Sequence, residues 1–396
     1  MIDPARFVDH LQELGVRFYT GVPDSLLKHL CSHIMSELPR EAHVIAANEG
    51  AAVGLAIGHH LRSGELGLVY LQNSGFGNTV NPLLSLADHD VYGVPMVLLV
   101  GWRGQPGVKD EPQHVKQGRI MESLLDAMDL PWAVLPREQQ EAEACMRTAV
   151  DTARSHGCPY VVLVEKDSFD APATSPSQAS QASEPADPAD PADPSQPSSA
   201  AALPSREQAL AALVDELGDD TINVSTTGML SRELFEHREQ TGQSGECDFL
   251  TVGGMGHASS IAMGVAMREP TREVWCLDGD GAVLMHLGTL AVIADHARDN
   301  LFHVVFNNGV HDSVGGQPTS IEVVDLAATA RAVGYRYAAS VSSLDELAEQ
   351  VSALRASGGP ALLELRVRPG NRAGIGRPTR TPAQSKQAFM SAVQRR

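Results

Sequence analysis

Residues 273–310 read EVWCLDGDGAVLMHLGTLAVIADHARDNLFHVVFNNGV and carry the most explicit chemistry in the chain. An apolar, β-rich run delivers Gly279-Asp280-Gly281, and a helical pattern follows from Ala282. A second apolar run ends at Asn307-Asn308-Gly309. The glycines let backbone N–H groups approach an anion, and a helix start adds the positive end of its dipole. Asp280 offers one hard carboxylate oxygen, and the second strand end brings an asparagine amide oxygen, Asn307 or Asn308, to the same rim. Mg²⁺ prefers one or two protein carboxylates, with phosphates and water completing its shell. One aspartate with one neutral amide therefore suits a cation that is shared with a diphosphate, which a second carboxylate would repel.

Other segments offer complementary groups. Glu49 follows the apolar run HVIAA (43–47) and opens a helical pattern. It reads either as a helix N-terminal charge or as a carboxylate placed at a strand end for proton transfer. Two stretches reverse the acidic balance locally. Residues 101–119 hold Arg103, Lys109, Lys116 and Arg119 against Asp110 and Glu111, and residues 366–380 hold five arginines and no acid. Solvated surface arginines and a pocket for an anion are both compatible with this pattern.

The elements that must position these groups are short apolar runs at 16–21, 43–47, 66–71, 95–100, 160–165, 221–225, 273–278, 301–306 and 361–367. Runs without polar alternation suit strands covered on both faces, as in parallel sheets. Helical patterns are expected at the N-terminus and at 24–38, 49–63, 206–217, 257–268, 284–298, 321–333, 343–356 and 382–395. Strand–helix alternation on both sides of a Pro/Ala/Ser/Asp-rich stretch predicts two α/β domains, 1–170 and 205–396. Each has a parallel sheet flanked by helices. The stretch 171–204, with tandem Ala-Asp-Pro triplets, cannot bury enough apolar surface to order itself and reads as a disordered linker. In parallel sheets ligands sit beyond the carboxyl ends of the strands.

The 396 residues carry a formal net charge of −19, which argues against nucleic acid or an anionic membrane as partner. No apolar run is long enough to span a bilayer. Five scattered cysteines without CxxC spacing read as reduced thiols, the expectation being a cytoplasmic protein.

The GDG–NN spacing resembles the signature of thiamine-diphosphate (ThDP) enzymes, a family of paired α/β domains that bind the pyrimidine and the diphosphate. The resemblance implies ThDP and Mg²⁺ as cofactors, with Asp280, Asn308 and the carbonyl of Val310 on the metal. The spacing leaves Asn307 open as the amide ligand. It implies that Gly279, Gly281, Ala282, Thr226, Thr227 and Gly228 contact the cofactor and that Gly253 offers its carbonyl to the pyrimidine. Met255 would prop the cofactor bent, or be plain core, and His257 would touch the diphosphate or cap a helix. Glu49 becomes the activating carboxylate. Because related enzymes place the two cofactor halves on different subunits, a homodimer or larger homo-oligomer with shared sites is implied.

Within that family the segments GVPDSLL (21–27), LQNSGFGNTVNPLLSLAD (71–88), GWRGQPGVKDEPQHVKQGR (101–119), STTGMLSRELFE (225–236), NNGVHDSVGGQPT (307–319) and GRPTRTP (376–382) resemble the decarboxylases of phosphono- and sulfopyruvate. The implied substrate is a small anionic 2-oxo acid, phosphonopyruvate first and sulfopyruvate as the alternative. Asp24 and His114 would then handle protons. Ser25, Asn73, Ser74, Arg103, Lys109, His311, Asp312, Ser313 and Arg377 would line the substrate pocket. An acetolactate-synthase-like carboligase and a non-catalytic ThDP-fold subunit are the remaining alternatives. The first would need room for an acceptor, and the second predicts loss of Glu49 or the GDG motif.

Overall fold

Continuous β-branched runs must be covered on both faces, and the chain covers them by building two parallel sheets. A computed structural model of the chain describes residues 1–171, 203–312 and 316–394. The expected linker 171–204, apart from its end residues, and Ser313 lie outside the described residues. The first sheet contains β1 (Val16–Gly21), β2 (His43–Ile45), β3 (Leu66–Gln72), β4 (Met96–Gly101), β5 (Trp132–Val134) and β6 (Pro159–Val164). The second contains β7 (Ile222–Ser225), β8 (Asp248–Leu250), β9 (Val274–Gly279), β10 (Leu301–Asn307), β13 (Tyr337–Val341) and β14 (Ala361–Arg366). Between β10 and β13, β11 (Val310–His311) and β12 (Gln317–Pro318) pair antiparallel as a small separate ribbon.

The strand orders are β2-β1-β3-β4-β6-β5 and β8-β7-β9-β10-β14-β13, and every pairing within both sheets is parallel. The same connectivity therefore occurs twice. Strands β5, β8 and β13 were not expected from the sequence. All three are edge strands, and β5 and β8 are only three residues long, so they carry little apolar signal. The helices Pro112–Ala127, Gln139–His156 and Met229–Thr241 were also not anticipated. Each is largely polar; Gln139–His156, for instance, buries a narrow stripe built mainly from Ala142, Met146, Ala149, Val150 and Ala153.

Each unit closes near its expected boundary. Ile2 bridges Phe169, and Arg368 bridges Ser205, so chain entry and exit are paired on both sides of 171–204. The two halves share one core that joins Phe18, Val44 and Val69 to Val224, Ile261 and Val305. At its centre the helix Glu49–Ser63 lies against the helix Ala258–Arg268. Glycine permits the contact: a Cβ on Gly58 would stand 2.1 Å from the Ile261 carbonyl oxygen, and one on Gly264 would stand 2.4 Å from that of Leu55. The C-terminal helix Pro382–Gln394 crosses the same seam. It buries Phe389 and Val393, and Lys386 donates to the Gly93 carbonyl at 2.6 Å. Arg62 pairs with Glu269 at 2.9 Å, and the Tyr92 hydroxyl donates to the Leu250 carbonyl at 2.5 Å.

Alanine normally stabilises a helix interior over glycine by about 1 kcal/mol. At Gly58 and Gly264 the sign should invert, because the added methyl meets backbone rather than a yielding side chain. Gly58→Ala and Gly264→Ala are each expected to cost about 1–3 kcal/mol, read as a lowered calorimetric midpoint; an unchanged or raised midpoint would contradict this packing.

Near the seam and the edge beside it, several histidines are buried. Burial pushes His43, His60 and His257 down to about 4, with smaller contributions from His296, Lys386 and His286 respectively, and His59 falls well below its ordinary value. The unfolded chain binds these protons near pH 6.5. The stability from keeping the rings neutral is therefore complete above that pH and is lost as pH falls towards 4. At pH 5 each of the three residues costs about 2 kcal/mol relative to neutrality. Melting midpoints should fall steeply between pH 6.5 and 4.5, and should fall less in a His43→Phe variant.

Candidate active site

Three neighbouring strands, β7, β9 and β10, end at one rim, and the residues beyond them enclose a cavity of about 220 Å³. Thr226, Thr227 and Gly228 follow β7, Gly279 ends β9 with Asp280, Gly281 and Ala282 beyond it, and Asn308, Val310 and His311 follow β10. Met255 reaches the same cavity from the loop after β8. Of the residues expected at the cofactor, those of the second half other than Gly253 and His257 are brought together here, and Glu49 is not among the lining.

Asp280 is 3 % exposed, and its Oδ2 accepts a hydrogen bond from the Thr319 hydroxyl at 2.5 Å. Burial raises its carboxyl above the ordinary range, against the lowering effects of Thr319 and nearby backbone N–H groups. A buried carboxylate with little positive charge around it is suited to a cation. The two asparagines differ in burial and in place, since Asn307 is buried and Asn308 is half-buried at the cavity. Asn307 is buried, donates to Glu364 at 2.6 Å, and accepts from Gly309 N at 3.0 Å, so its amide is spent inside the sheet. Asn308 lines the cavity with Asp280 and Val310. Asp280, Asn308 and a backbone carbonyl form an all-oxygen donor set, and it fits a hard divalent cation with open positions for phosphate and water.

The helix after the GDG turn is shorter than the sequence pattern implies. It runs Asp280–Met285, breaks at 286–288, and resumes as Thr289–His296, so the expected helix 284–298 is two pieces. The longer helix start at the cavity is Met229–Thr241. Gly228 is its N-cap, with φ +101° and no side-chain cap, which leaves first-turn N–H groups for an anion. Arg206, the first residue of Arg206–Leu217, also lines the cavity. Sequence reasoning missed it because its partners Glu233 (2.8 Å) and Asp312 (3.2 Å) are far away in the chain. Thr319 was missed for the same reason.

Glu49 is the first residue of its helix, capped by Asn48, and its Oε2 accepts from Asn78 Nδ2 at 2.8 Å. Gly75 lies so close that a Cβ there would fall 2.0 Å from Glu49 Oε1, so that backbone is pressed against the carboxylate. The helix start also touches the other half: a Cβ on Gly50 would stand 2.6 Å from His257 Nε2. His257 donates through Nδ1 to the Gly254 carbonyl at 2.9 Å and stacks obliquely on His286, and burial keeps its ring neutral at the seam. Among the described residues, none from the first half lines the 220 Å³ cavity.

A second cavity, about 530 Å³, lies in the first half and is lined by Ser25, Lys28, Arg103, Lys109 and Lys166 with Asp110 and Asp167. It gathers three of the residues expected at the substrate. Arg103 is not a free cation there: it forks onto Asp110 (2.8 and 2.5 Å) and reaches Ser25 at 3.0 Å. Those hydrogen bonds hold the Asp110 carboxyl well below the carboxylate range.

Other expected pocket residues are placed differently. Asn73 is buried and clasps the Arg103 backbone through both ends of its amide, at 2.8 and 3.0 Å. Ser74 is exposed and donates to Gln72. Asp24 is buried, accepting from Gln72 Nε2 (2.6 Å) and Leu26 N (2.9 Å). His114, half-buried at the start of Pro112–Ala127, lines neither cavity, and Arg377 is exposed away from both. The basic stretch 366–380 is partly neutralised, since Arg366 pairs with Glu322 and Arg372 with Glu207 and Glu236. Those acids come from other elements, which local sequence cannot show.

A doubled α/β sheet, with an oxygen-donor cavity and uncapped backbone amides at one rim, defines a site for a metal–diphosphate cofactor. Residues 5–129 match the N-terminal and residues 226–365 the C-terminal TPP binding domain of thiamine pyrophosphate enzymes. The chain is 40 % identical to a phosphonopyruvate decarboxylase of Streptomyces viridochromogenes, across 99 % of this chain and 95 % of that one. It is 26 % identical to a sulfopyruvate decarboxylase of Methanosarcina acetivorans, across 92 % and 91 %. Its fold matches benzoylformate decarboxylase from Polynucleobacter necessarius with a TM-score of 0.71 at 13 % identity, covering 94 % of this chain and 100 % of that one. The chain belongs to the thiamine-diphosphate-dependent decarboxylases, in the family of the phosphonopyruvate decarboxylases.

The two asparagines should separate on substitution. Asn308→Ala is expected to weaken Mg²⁺-dependent ThDP binding, followed by tryptophan fluorescence, with little change in the melting midpoint of the cofactor-free protein. Asn307→Ala should instead lower that midpoint, because Glu364 is left buried without its donor at a cost of about 1–3 kcal/mol. The reverse pattern would exchange the two roles.

Proposed function

We propose that the chain converts 3-phosphonopyruvate to phosphonoacetaldehyde and carbon dioxide, using ThDP and Mg²⁺. The observation that carries this reading is the convergence of Asp280, Asn308 and the Val310 carbonyl with the uncapped Met229–Thr241 helix start. The 40 % identical relative supports the choice of substrate. Asp280, Asn308 and Val310 would hold the metal, and Thr226, Thr227, Gly228 and Gly279–Ala282 would meet the diphosphate. Gly253 and Met255 would face the pyrimidine. When bound, ThDP supplies the electron sink that accepts the pair released as carbon dioxide leaves.

The chain's own residues bind, orient and move protons. Glu49, fixed by Asn78 and by the Gly75 backbone, would hold the pyrimidine side of the cofactor by a hydrogen bond and would supply acid–base chemistry there. A proton must then replace carbon dioxide on the former keto carbon, and Asp24 and His114 are the proposed carriers. Lys28, Lys109 and Lys166 outweigh Asp167 in the first-half cavity, which suits a phosphonate beside a carboxylate. Ser25 and Arg103 would orient the substrate there, and His311 would approach it from the metal side. The domains are 1–170 and 205–396, joined by 171–204.

Assembly into a homodimer or larger homo-oligomer belongs to the same reading. It is supported by the sulfopyruvate decarboxylase of Methanothermobacter thermautotrophicus, whose alpha and beta subunits match 39 % and 42 % of this chain.

Purified protein with ThDP and Mg²⁺ should release carbon dioxide from phosphonopyruvate faster than from sulfopyruvate or pyruvate. Glu49→Gln should lower kcat by at least about 100-fold, the usual scale for a positioned acid–base group, with ThDP still bound. Preference for sulfopyruvate would overturn the substrate assignment and leave the chemistry intact.

A further inference from the structure

Both side chains proposed for the metal are hydrogen-bonded to the same short segment downstream of β10. The Thr319 hydroxyl donates to Asp280 Oδ2 at 2.5 Å, and Asn308 Nδ2 donates to Asp312 Oδ2 at 2.7 Å. We infer that Asp312 and Thr319 are positioning residues for the metal: each fixes one ligand in the orientation a small divalent cation requires. This rests on the metal assignment made above and gives Asp312 a role other than substrate contact.

An asparagine amide can present either its oxygen or its NH₂ to a cation, and only the oxygen binds. Asp312 decides between them, because a carboxylate accepts from NH₂ and repels the amide oxygen. With Nδ2 held by Asp312, Oδ1 is turned the other way, where it accepts from Val310 N at 3.2 Å. Asp312 is itself oriented. Arg206 Nη1 donates to its Oδ2 at 3.2 Å, and Gly370 N lies 3.1 Å from both of its oxygens. Arg206 is in turn forked onto buried Glu233 at 2.8 and 2.9 Å. The amide of Asn308 is thus anchored through Asp312 to the helix Arg206–Leu217 and to the segment after β14.

Thr319 performs the corresponding task for the carboxylate. Its backbone N donates to the Gly309 carbonyl at 2.8 Å, so the residue spans from the turn after β10 to the turn after β9. Its hydroxyl fills one lone pair of Asp280 Oδ2 and restricts rotation of the carboxylate. Mg²⁺ demands near-ideal octahedral geometry and dehydrates reluctantly, so freely rotating ligands would bind it poorly. Removing outer partners of metal ligands commonly costs 10–100-fold in affinity.

The test uses Mn²⁺ as a paramagnetic probe in the Mg²⁺ position, titrated into the full chain with ThDP and followed by electron paramagnetic resonance. Thr319→Val, which removes only the hydroxyl, is expected to raise the Mn²⁺ Kd by about 10-fold or more. Thr319→Ser, which restores it, should return the Kd to within about twofold of wild type. Asp312→Ala should raise the Kd at least as much. Its cofactor-free melting midpoint is measured alongside, and if that variant does not fold, the threonine pair carries the test alone. Unchanged Mn²⁺ affinity in a folded Thr319→Val protein would overturn the proposal. A wild-type chain that binds no Mn²⁺ with ThDP would instead overturn the metal assignment beneath it.

Discussion

The contact between Gly58 and the Ile261 carbonyl, mirrored by Gly264 against Leu55, is the constraint on which the arrangement of the two halves rests. Two helices meet backbone to backbone at these glycines, and each has a candidate site segment at its N-terminal end. One begins at Glu49. The other follows Gly253–His257, so the short interaxial distance fixes how far the carboxylate stands from the cofactor-facing loop. Dispersion contacts fall off steeply with separation, and a seam this close transmits any shift of one helix to the other. The C-terminal helix Pro382–Gln394 closes over the same seam, so the last residues of the chain stabilise a geometry set near its beginning.

Repetition of one strand order in both halves has a chemical use. Each sheet offers a rim of strand carboxyl ends, and the two rims are specialised by the segments that leave the strands there. In the first half those segments carry a carboxylate, Glu49, and a lysine-lined cavity. In the second they carry an oxygen-donor set and an uncapped helix start. A chain with net charge −19 must bind an anionic cofactor against its overall field. On the proposed site assignment it would do so locally, with backbone N–H groups, a cation taken by Asp280 and Asn308, and Arg206 whose charge is balanced by Glu233. Short-range dipoles and one ion outweigh a distant surface field that salt screens within about 10 Å.

Legibility in the sequence followed range. The GDG turn, the apolar strands and the helices 49–63 and 206–217 were readable because their signals are contiguous: glycines, β-branched runs, caps and periodicity. Edge strands β5 and β8 were not, since three residues carry too little pattern. The break at 286–288 was hidden because apolar residues continue on both sides of it; there a Cβ on Gly288 would stand 3.5 Å from the Ala47 Cβ of the first half. At the site, Asp280 could be read from its motif. Arg206 and Thr319 could not, since each matters only through partners that the fold brings from dozens of residues away.

Several polar residues that sequence reasoning set at or beside the site share a physical feature. Asn73, Asn307 and Asp312 are polar, stand at or just beyond strand ends, and look free to meet a ligand. In the fold each is spent: Asn73 on the Arg103 backbone, Asn307 on Glu364, Asp312 on Arg206, Asn308 and Gly370. A strand end is where ligands bind, and it is also where backbone and side-chain groups lose their ladder partners and must be satisfied by others. Polar residues at a rim therefore divide between meeting the ligand and holding in place the residues that do. Which task a residue takes depends on whether a buried partner reaches it first, and at this rim the orienting group is nearly as large as the binding one.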